Sequence, residues 1–329
     1  MSETIRLGRS PVRISPLGVG TMSWSGEEGR GAYGGTRPAD EEAAFRASLS
    51  SGVTLFDTMG MYSRGKCERR VGELSRGTNA VIATKFLPSR LVPPALPYLP
   101  SHLPKLLDAA LARLGRTSVD VYQLRSFGFV PIKAWMNRLA DAVEAGKARA
   151  VGVSGFTEEK LREAHAALET RGVPLASIQN QYSLLDRRPE FDGVLSACRE
   201  LGVTLVAFSP LALGALSGKY RAGRLPEDML RRRMAGPFRA SRIASTSHVI
   251  EKLAAIGASH GKSVPQVALR YLIDQGAVPI PGAKNEQQAR DNAGALTFSL
   301  SGSEMNELRE ATDGIVKGGA GSTTAASVA

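Results

Sequence analysis

Eight short apolar runs, spaced along the chain and separated by amphipathic stretches, constrain this sequence more than any other feature. The runs are Pro16–Gly20, Val53–Asp57, Ala80–Lys85, Val119–Leu124, Ala148–Val153, Ala176–Gln179, Val203–Phe208 and Ala277–Ile280. Each is too short for a helix and too continuously apolar for a half-exposed strand, so each reads as a strand covered on both faces of a parallel sheet. Between them lie Glu41–Ser50, Glu68–Ser75, Ser101–Leu114, Ala134–Ala145, Glu158–Glu169, Glu190–Leu201 and Val264–Gln275, which carry helical apolar faces. Eight strand–helix units predict an α/β chain closed as a (β/α)8 TIM barrel. A doubly wound open sheet is the alternative, weakened because no Gly-x-Gly-x-x-Gly follows a strand in the first half. Glycines at Gly52, Gly146 and Gly202 supply the left-handed caps that end helices before strands.

The remaining segments complete the plan. Ile5 to Ser15 alternates apolar and polar residues about a turn and reads as an N-terminal β-hairpin over the barrel floor. Ser217 to Ser245 is too long for an ordinary connection, and loops of that length are usually functional. Residues 1–316 are expected to form one barrel domain with extra C-terminal helices, and 317–329, rich in small residues, to be a disordered tail.

Composition narrows the function. The chain has 329 residues, 43% of them hydrophobic, with no run long enough to span a bilayer and no signal-like apolar N-terminus. Its two cysteines, Cys67 and Cys198, give no disulfide framework, so a cytoplasmic protein with no membrane association is expected. Neither they nor the scattered His102, His165, His248 and His260 have metal-site spacing. The net charge of +11 is spread singly along helices, apart from Arg231-Arg232-Arg233, and few aromatics accompany it. It argues for solubility and for a phosphorylated cofactor rather than for nucleic acid.

The chemistry lies where strands end. Asp57 closes the second strand, Lys85 closes the third, and Tyr62 follows in the loop after the second. A barrel brings such ends to one mouth, where its enzymes place their sites. A lysine cation lowers a tyrosine pKa from about 10, and an aspartate holds that lysine charged and in place. The trio is suited to protonating a carbonyl oxygen while hydride arrives from elsewhere.

With Phe56-Asp57-Thr58, Tyr62-Ser63, Glu68 and Ala83-Thr84-Lys85 read together, the chain resembles the aldo-keto reductases from Leu17 to Gly294. The resemblance implies Tyr62 as general acid, with Lys85 and Asp57 tuning it, and NADPH/NADP+ as cofactor. It assigns Gly20, Thr21 and Met22 to the cofactor, Ser154, Gly155 and Gln179 to its carboxamide, and Phe208 to the nicotinamide face. Gly155 stands where the family usually has asparagine. The segment Ser209, Leu211, Gly214, Leu216, Lys219 and Arg224 matches the pyrophosphate loop. Ile280, Gly282, Ala283, Lys284, Gln288, Asp291 and Asn292 match the adenosine-phosphate segment. Lys284 at a helix start favours NADP over NAD. Trp24, Met59, Phe127 and Phe129 are candidates for the substrate pocket, with Met61 beside them.

One departure stands out. Strand four reads Tyr122-Gln123-Leu124-Arg125, where the family has histidine at the last position. Arginine has only donors and cannot relay a proton. Arg125 is therefore open to three roles: stabilising an oxyanion, gripping an anionic group on the substrate, or swinging out or pairing with Asp57 to leave a weakened reductase. The expected reaction is reduction of an aldehyde or ketone, with or without an anionic group. The alternatives are reduction of a conjugated C=C or C=N bond, and a non-catalytic NADPH-sensing module. The partner is then a small carbonyl compound, and the protein is expected to be a monomer or a weak homo-oligomer.

Overall fold

A computed structural model describes residues 4–25, 35–88, 99–126, 131–220 and 240–317. Phe127, Phe129, Arg224, the Arg231–Arg233 cluster and the tail from 318 lie outside the described residues.

Eight strands form one parallel sheet in sequence order: β3 (Gly18–Gly20), β4 (Leu55–Asp57), β5 (Val81–Phe86), β6 (Val119–Arg125), β7 (Ala148–Ser154), β8 (Leu175–Gln181), β9 (Thr204–Phe208) and β10 (Val278–Pro279). The sheet closes on itself where Gly20 pairs with Gly282 and the Gly20 N–H donates to Pro281 O at 2.9 Å. Every apolar run expected as a strand overlaps one of these, and β5, β6, β7 and β8 run one or two residues past the expected ends. The reason is visible in their faces. Leu55, Ala83, Val121, Ala150, Ala176, Val206, Val278 and Ile280 point into the barrel. Phe56, Ile82, Tyr122, Val151, Val153 and Ile178 point out under the helices. Both faces are covered, so period two vanishes from the sequence.

The hairpin β1 (Ile5–Arg6) and β2 (Arg13–Ile14) plugs one end. Its Leu7, Val12 and Ile14 join the inward barrel cluster, so it covers the floor as expected. Gly8 turns there at φ 55°, and any Cβ on it would run into the Ala176 carbonyl.

Helices α1 (Pro38–Ser50), α2 (Lys66–Leu74), α3 (Leu103–Leu114), α4 (Ile132–Glu144) and α5 (Glu158–Glu169) follow successive strands. The sixth helical stretch, expected as one piece over Glu190–Leu201, is two: α6 (Arg188–Phe191) and α7 (Val194–Leu201). Gly193 at φ 83° breaks it. Then come α8 (Ala240–His260), α9 (Val264–Asp274), α10 (Glu286–Ala293) and α11 (Gly302–Lys317). Arg187, 2% exposed, ties α11 to the β8 loop. It donates to Arg309 O, Thr312 Oγ1 and Asp313 Oδ1 at 2.9, 2.8 and 3.0 Å while pairing with Glu190.

Candidate active site

At the open mouth, opposite the hairpin, the ends of β4, β5, β6, β7, β8 and β9 bring together residues far apart in sequence. Asp57 is 3% exposed and Lys85 2%. Lys85 Nζ donates to Asp57 Oδ1 at 2.5 Å and to Thr58 O at 3.1 Å. The other carboxylate oxygen accepts from Gln179 Nε2 at 2.8 Å. Thr21 fixes the strand end from behind, its N–H and hydroxyl both donating to Asp57 O at 2.9 Å. Lys85 Nζ lies 5.5 Å from the centre of the Tyr62 ring. Asp57, Tyr62 and Lys85 are therefore neighbours, as the strand-end argument required.

Tyr62 rides on a tight turn, Tyr62–Gly65, in which Ser63 and Arg64 are both left-handed, at φ 47° and 55°. Consecutive non-glycine residues in that region are strained, by about 1–3 kcal/mol each. The turn is propped by a buried polar cluster. Thr84 Oγ1 donates to Glu68 Oε1 at 2.7 Å, and Arg113 closes on the other oxygen of Glu68. The Arg113 side chain also fills the space where Gly60 and Gly65 lack a Cβ. Sequence reasoning noted Glu68 but missed Arg113, whose partner is 45 residues away.

The electrostatics of Tyr62 differ from expectation. A lysine neighbour predicts a lowered tyrosine pKa, yet in the free protein burial, and then the negative charge of Asp57, push the phenol above its ordinary value. Arg125 opposes them. Tyr62 thus holds its proton. Burial pulls Lys85 below the usual lysine range, and Asp57 pushes it back up.

Arg125 is half-buried at the end of β6. Its Nη1 donates to Ser154 Oγ at 3.0 Å, and its guanidinium carbon lies 5.2 Å over the Phe208 ring. Burial lowers its pKa, against the favourable charges of Tyr62 and Asp57. Gly155 sits at φ 76° with any Cβ crowding the Ser126 carbonyl at 2.5 Å, so glycine suits that position for steric reasons. Its N–H donates to Gln179 O and to the side chain of Asn180, both at 3.0 Å. The amide missing at position 155 is thus supplied from the next strand, but it is spent on backbone: Asn180 Nδ2 donates to Phe156 O at 2.9 Å.

The other candidates fall into two groups. Gly20, Met22, Ser209, Leu211 and Gly214 are half-buried along the rim, Leu216 is buried beneath them, and Lys219 is exposed. Ser209, Ala212, Leu213 and Gly214 have φ of 52°, 48°, 58° and 99°, and the N–H groups of Ala212 and Gly214 donate to Ser209 O and Leu211 O at 2.9 Å. On the β10 side, Ile280 and Ala283 are buried and Gly282 and Asp291 exposed. Asn285 caps α10 by accepting from Gln288 N at 2.9 Å. Gln288 in turn accepts from Lys284 N at 2.9 Å, and Asn292 Nδ2 donates to Gly282 O at 3.2 Å. A Cβ on Gly282 would meet no atom closer than 3.8 Å, so that backbone is open to a ligand.

Two pocket expectations change. Trp24 is fully buried against Phe56 and donates its indole N–H to Ala283 O at 2.8 Å; it fastens the β3 loop to the β10 loop instead of lining a pocket. Met59 is 3% exposed and packs beneath the mouth. Met61, on the same loop, is exposed. Among the described residues no His, Cys, Asp or Glu cluster suits a metal ion, and no helix is long and apolar enough to cross a membrane.

Comparison with known proteins agrees with this geometry. Residues 16–313 match the aldo/keto reductase family. The chain is 33% identical to the chloroplastic pyridoxal reductase of Arabidopsis thaliana, covering 94% of this chain and 86% of that one. It is 32% identical to an aldo-keto reductase of Schizosaccharomyces pombe whose name specifies NADP(+), over 85% of each. The glycerol dehydrogenase of Gluconobacter oxydans shares the fold, with a TM-score of 0.79 at 24% identity over 99% of this chain and 98% of that one. A parallel eight-stranded barrel with a floor hairpin, an acid–lysine–tyrosine mouth and a match over nearly all its length make this chain an oxidoreductase of the aldo/keto reductase family.

Proposed function

We propose that this protein is an NADPH-dependent reductase of small aldehydes or ketones, with Tyr62 as the proton donor. The observation that carries the reading is the buried Asp57–Lys85 pair beside a tyrosine that keeps its proton. A protonated phenol is the form a general acid needs. Lys85, held by Asp57 and Thr58 O, presents a fixed positive charge that favours the phenolate left after transfer. Asp57 keeps that lysine charged against its burial.

The residues present fit NADPH. Gln179 has its Nε2 committed to Asp57, which leaves Oε1 to accept from a carboxamide. Ser154, Gly155 and Phe208 flank the same spot. Ser209 to Leu216 and Lys219 would serve the pyrophosphate, and Lys284 with the start of α10 a 2′-phosphate. When bound, NADPH supplies the hydride. The name of the S. pombe relative supports NADP over NAD.

Arg125 stands where it can stabilise developing negative charge on the carbonyl oxygen, or grip an anionic substituent through its planar fork. The name of the Arabidopsis relative makes pyridoxal, a polar heteroaromatic aldehyde, the first compound to try. The cytoplasmic assignment rests on Cys67 and Cys198, both buried and free. Residues 1–316 serve as one catalytic unit in this reading.

The test is NADPH oxidation against pyridoxal, other aldehydes, ketones, keto acids and enones, with Tyr62→Phe alongside. Loss of the acid should lower turnover by about 10²–10⁴-fold while leaving NADPH affinity unchanged. Equal turnover in both proteins would end the tyrosine-acid reading. Activity confined to conjugated C=C bonds would replace carbonyl reduction with the alternative chemistry.

A further inference from the structure

Two strands present Arg125 and Ser154 side by side, since they are Cα partners in the β6–β7 register. The guanidinium donates to the Ser154 hydroxyl at 3.0 Å and lies 5.2 Å over the face of Phe208. A cation over an aromatic face is electrostatically favoured, and the second contact fixes the plane of the fork. The deeper cation of the mouth, Lys85, has its charge matched by Asp57 at 2.5 Å. Arg125 places a second cation directly against Ser154 and Phe208. An imidazole at this position would be mostly neutral at pH 7, whereas the guanidinium is charged throughout the working range.

We propose that Arg125 makes the site discriminate between redox states of the cofactor, binding the reduced form in preference to the oxidised one. This rests on the reading above, in which Ser154, Gln179 and Phe208 receive the nicotinamide end. The oxidised ring carries a formal positive charge and the reduced ring does not. An oxidised ring arriving at Ser154 and Phe208 meets a like charge and competes with the guanidinium for the same aromatic face. A neutral reduced ring meets no such repulsion. The consequence is directional: NADPH loads readily, NADP+ is expelled after turnover, and alcohol oxidation is handicapped at cofactor binding. Arg125 is here a specificity-determining residue for cofactor redox state, separate from any contact with the carbonyl.

The test needs no substrate. Dissociation constants of NADPH and of NADP+ are measured by calorimetry at one ionic strength for the wild type, Arg125→Gln and Arg125→Lys, with circular dichroism to confirm folding. Like unit charges a few ångströms apart in a partly buried site correspond to about tenfold or more in affinity. The wild type should therefore bind NADPH about tenfold or more tightly than NADP+. Arg125→Gln should close that gap, chiefly through tighter NADP+, and Arg125→Lys should keep most of it. An unchanged affinity ratio in Arg125→Gln, with both cofactors binding, would overturn the inference alone. Failure of the wild type to bind either cofactor would overturn the cofactor reading beneath it.

Discussion

Asp57→Asn separates the electrostatic role of the aspartate from its packing. The change conserves volume, and Lys85 keeps Thr58 O at 3.1 Å, but the carboxylate that its ammonium bonds is gone. Both residues are 3% exposed or less. Removing one member of a buried pair costs about 3–5 kcal/mol, mostly from the charge left behind. That cost depends on pH. Burial already lowers the Lys85 pKa and Asp57 is the main group raising it, so the variant's folded pKa falls further. Below the unfolded lysine value of about 10.4, the unfolded chain then binds more protons than the folded one, and stability rises with pH by up to about 1.4 kcal/mol per unit. The contribution is lost as pH falls towards the folded pKa. The deficit of Asp57→Asn relative to wild type should be largest near neutrality and shrink steadily towards the unfolded pKa of lysine. Urea denaturation followed by circular dichroism across that range measures it, with Lys85→Met and the double variant included. The double variant should recover much of the loss, because no stranded ammonium remains. A deficit that is flat with pH and unrelieved by Lys85→Met would refute the reasoning. It would assign the loss to the hydrogen bond from Gln179 instead.

Two other perturbations test the scaffold. Tyr182 and Tyr271 both donate to Glu190 Oε1, at 2.8 and 2.9 Å, and burial pushes both phenols up, Tyr271 to about 12. A raised folded pKa gives stability that is complete below the unfolded value of about 10 and lost as pH climbs through the folded one. Thermal midpoints should therefore drop on the alkaline side, and Tyr271→Phe should show a shallower drop at the expense of about 1–3 kcal/mol at neutrality; parallel curves would count against it. Ser177 is fully buried inside the barrel and its hydroxyl has no hydrogen-bond partner among the described residues. Ser177→Ala should be neutral or stabilising by up to about 1 kcal/mol in urea denaturation, and a loss above about 2 kcal/mol would mean the hydroxyl is satisfied in solution.

The barrel was legible because a strand covered on both faces leaves an unbroken apolar signature, and eight of these admit few arrangements. The site was legible for a related reason. Strand ends converge whatever their sequence separation, so Asp57 and Lys85, with Tyr62 in the following loop, could be grouped before any distance was known; Arg125, Ser154, Gln179 and Phe208 joined them through the family resemblance. Partner choice was not legible. Gln179 could have served the cofactor alone, but its Nε2 goes to Asp57 across 122 positions of sequence. Arg125 was open to three roles, and its contacts with Ser154 and Phe208 could not be read from its position. Nor does local pattern reveal the left-handed pair Ser63 and Arg64, which no propensity favours and which a distant Glu68–Arg113 pair supports. Such choices turn on a few ångströms among groups that could all reach one another.

They also carry the functional consequence. Asp57 gives one oxygen to the lysine beside the acid and the other to the glutamine assigned to the nicotinamide, so a single carboxylate orients both ends of the proposed reaction. A change at either partner frees a lone pair on Asp57 and alters its hold on the other. Cofactor affinity and the proton inventory of the Tyr62–Lys85 pair should therefore vary together across substitutions at Gln179, whereas substitutions at Ser154 should reach that pair only through Arg125, whose charge opposes the rise in the Tyr62 pKa.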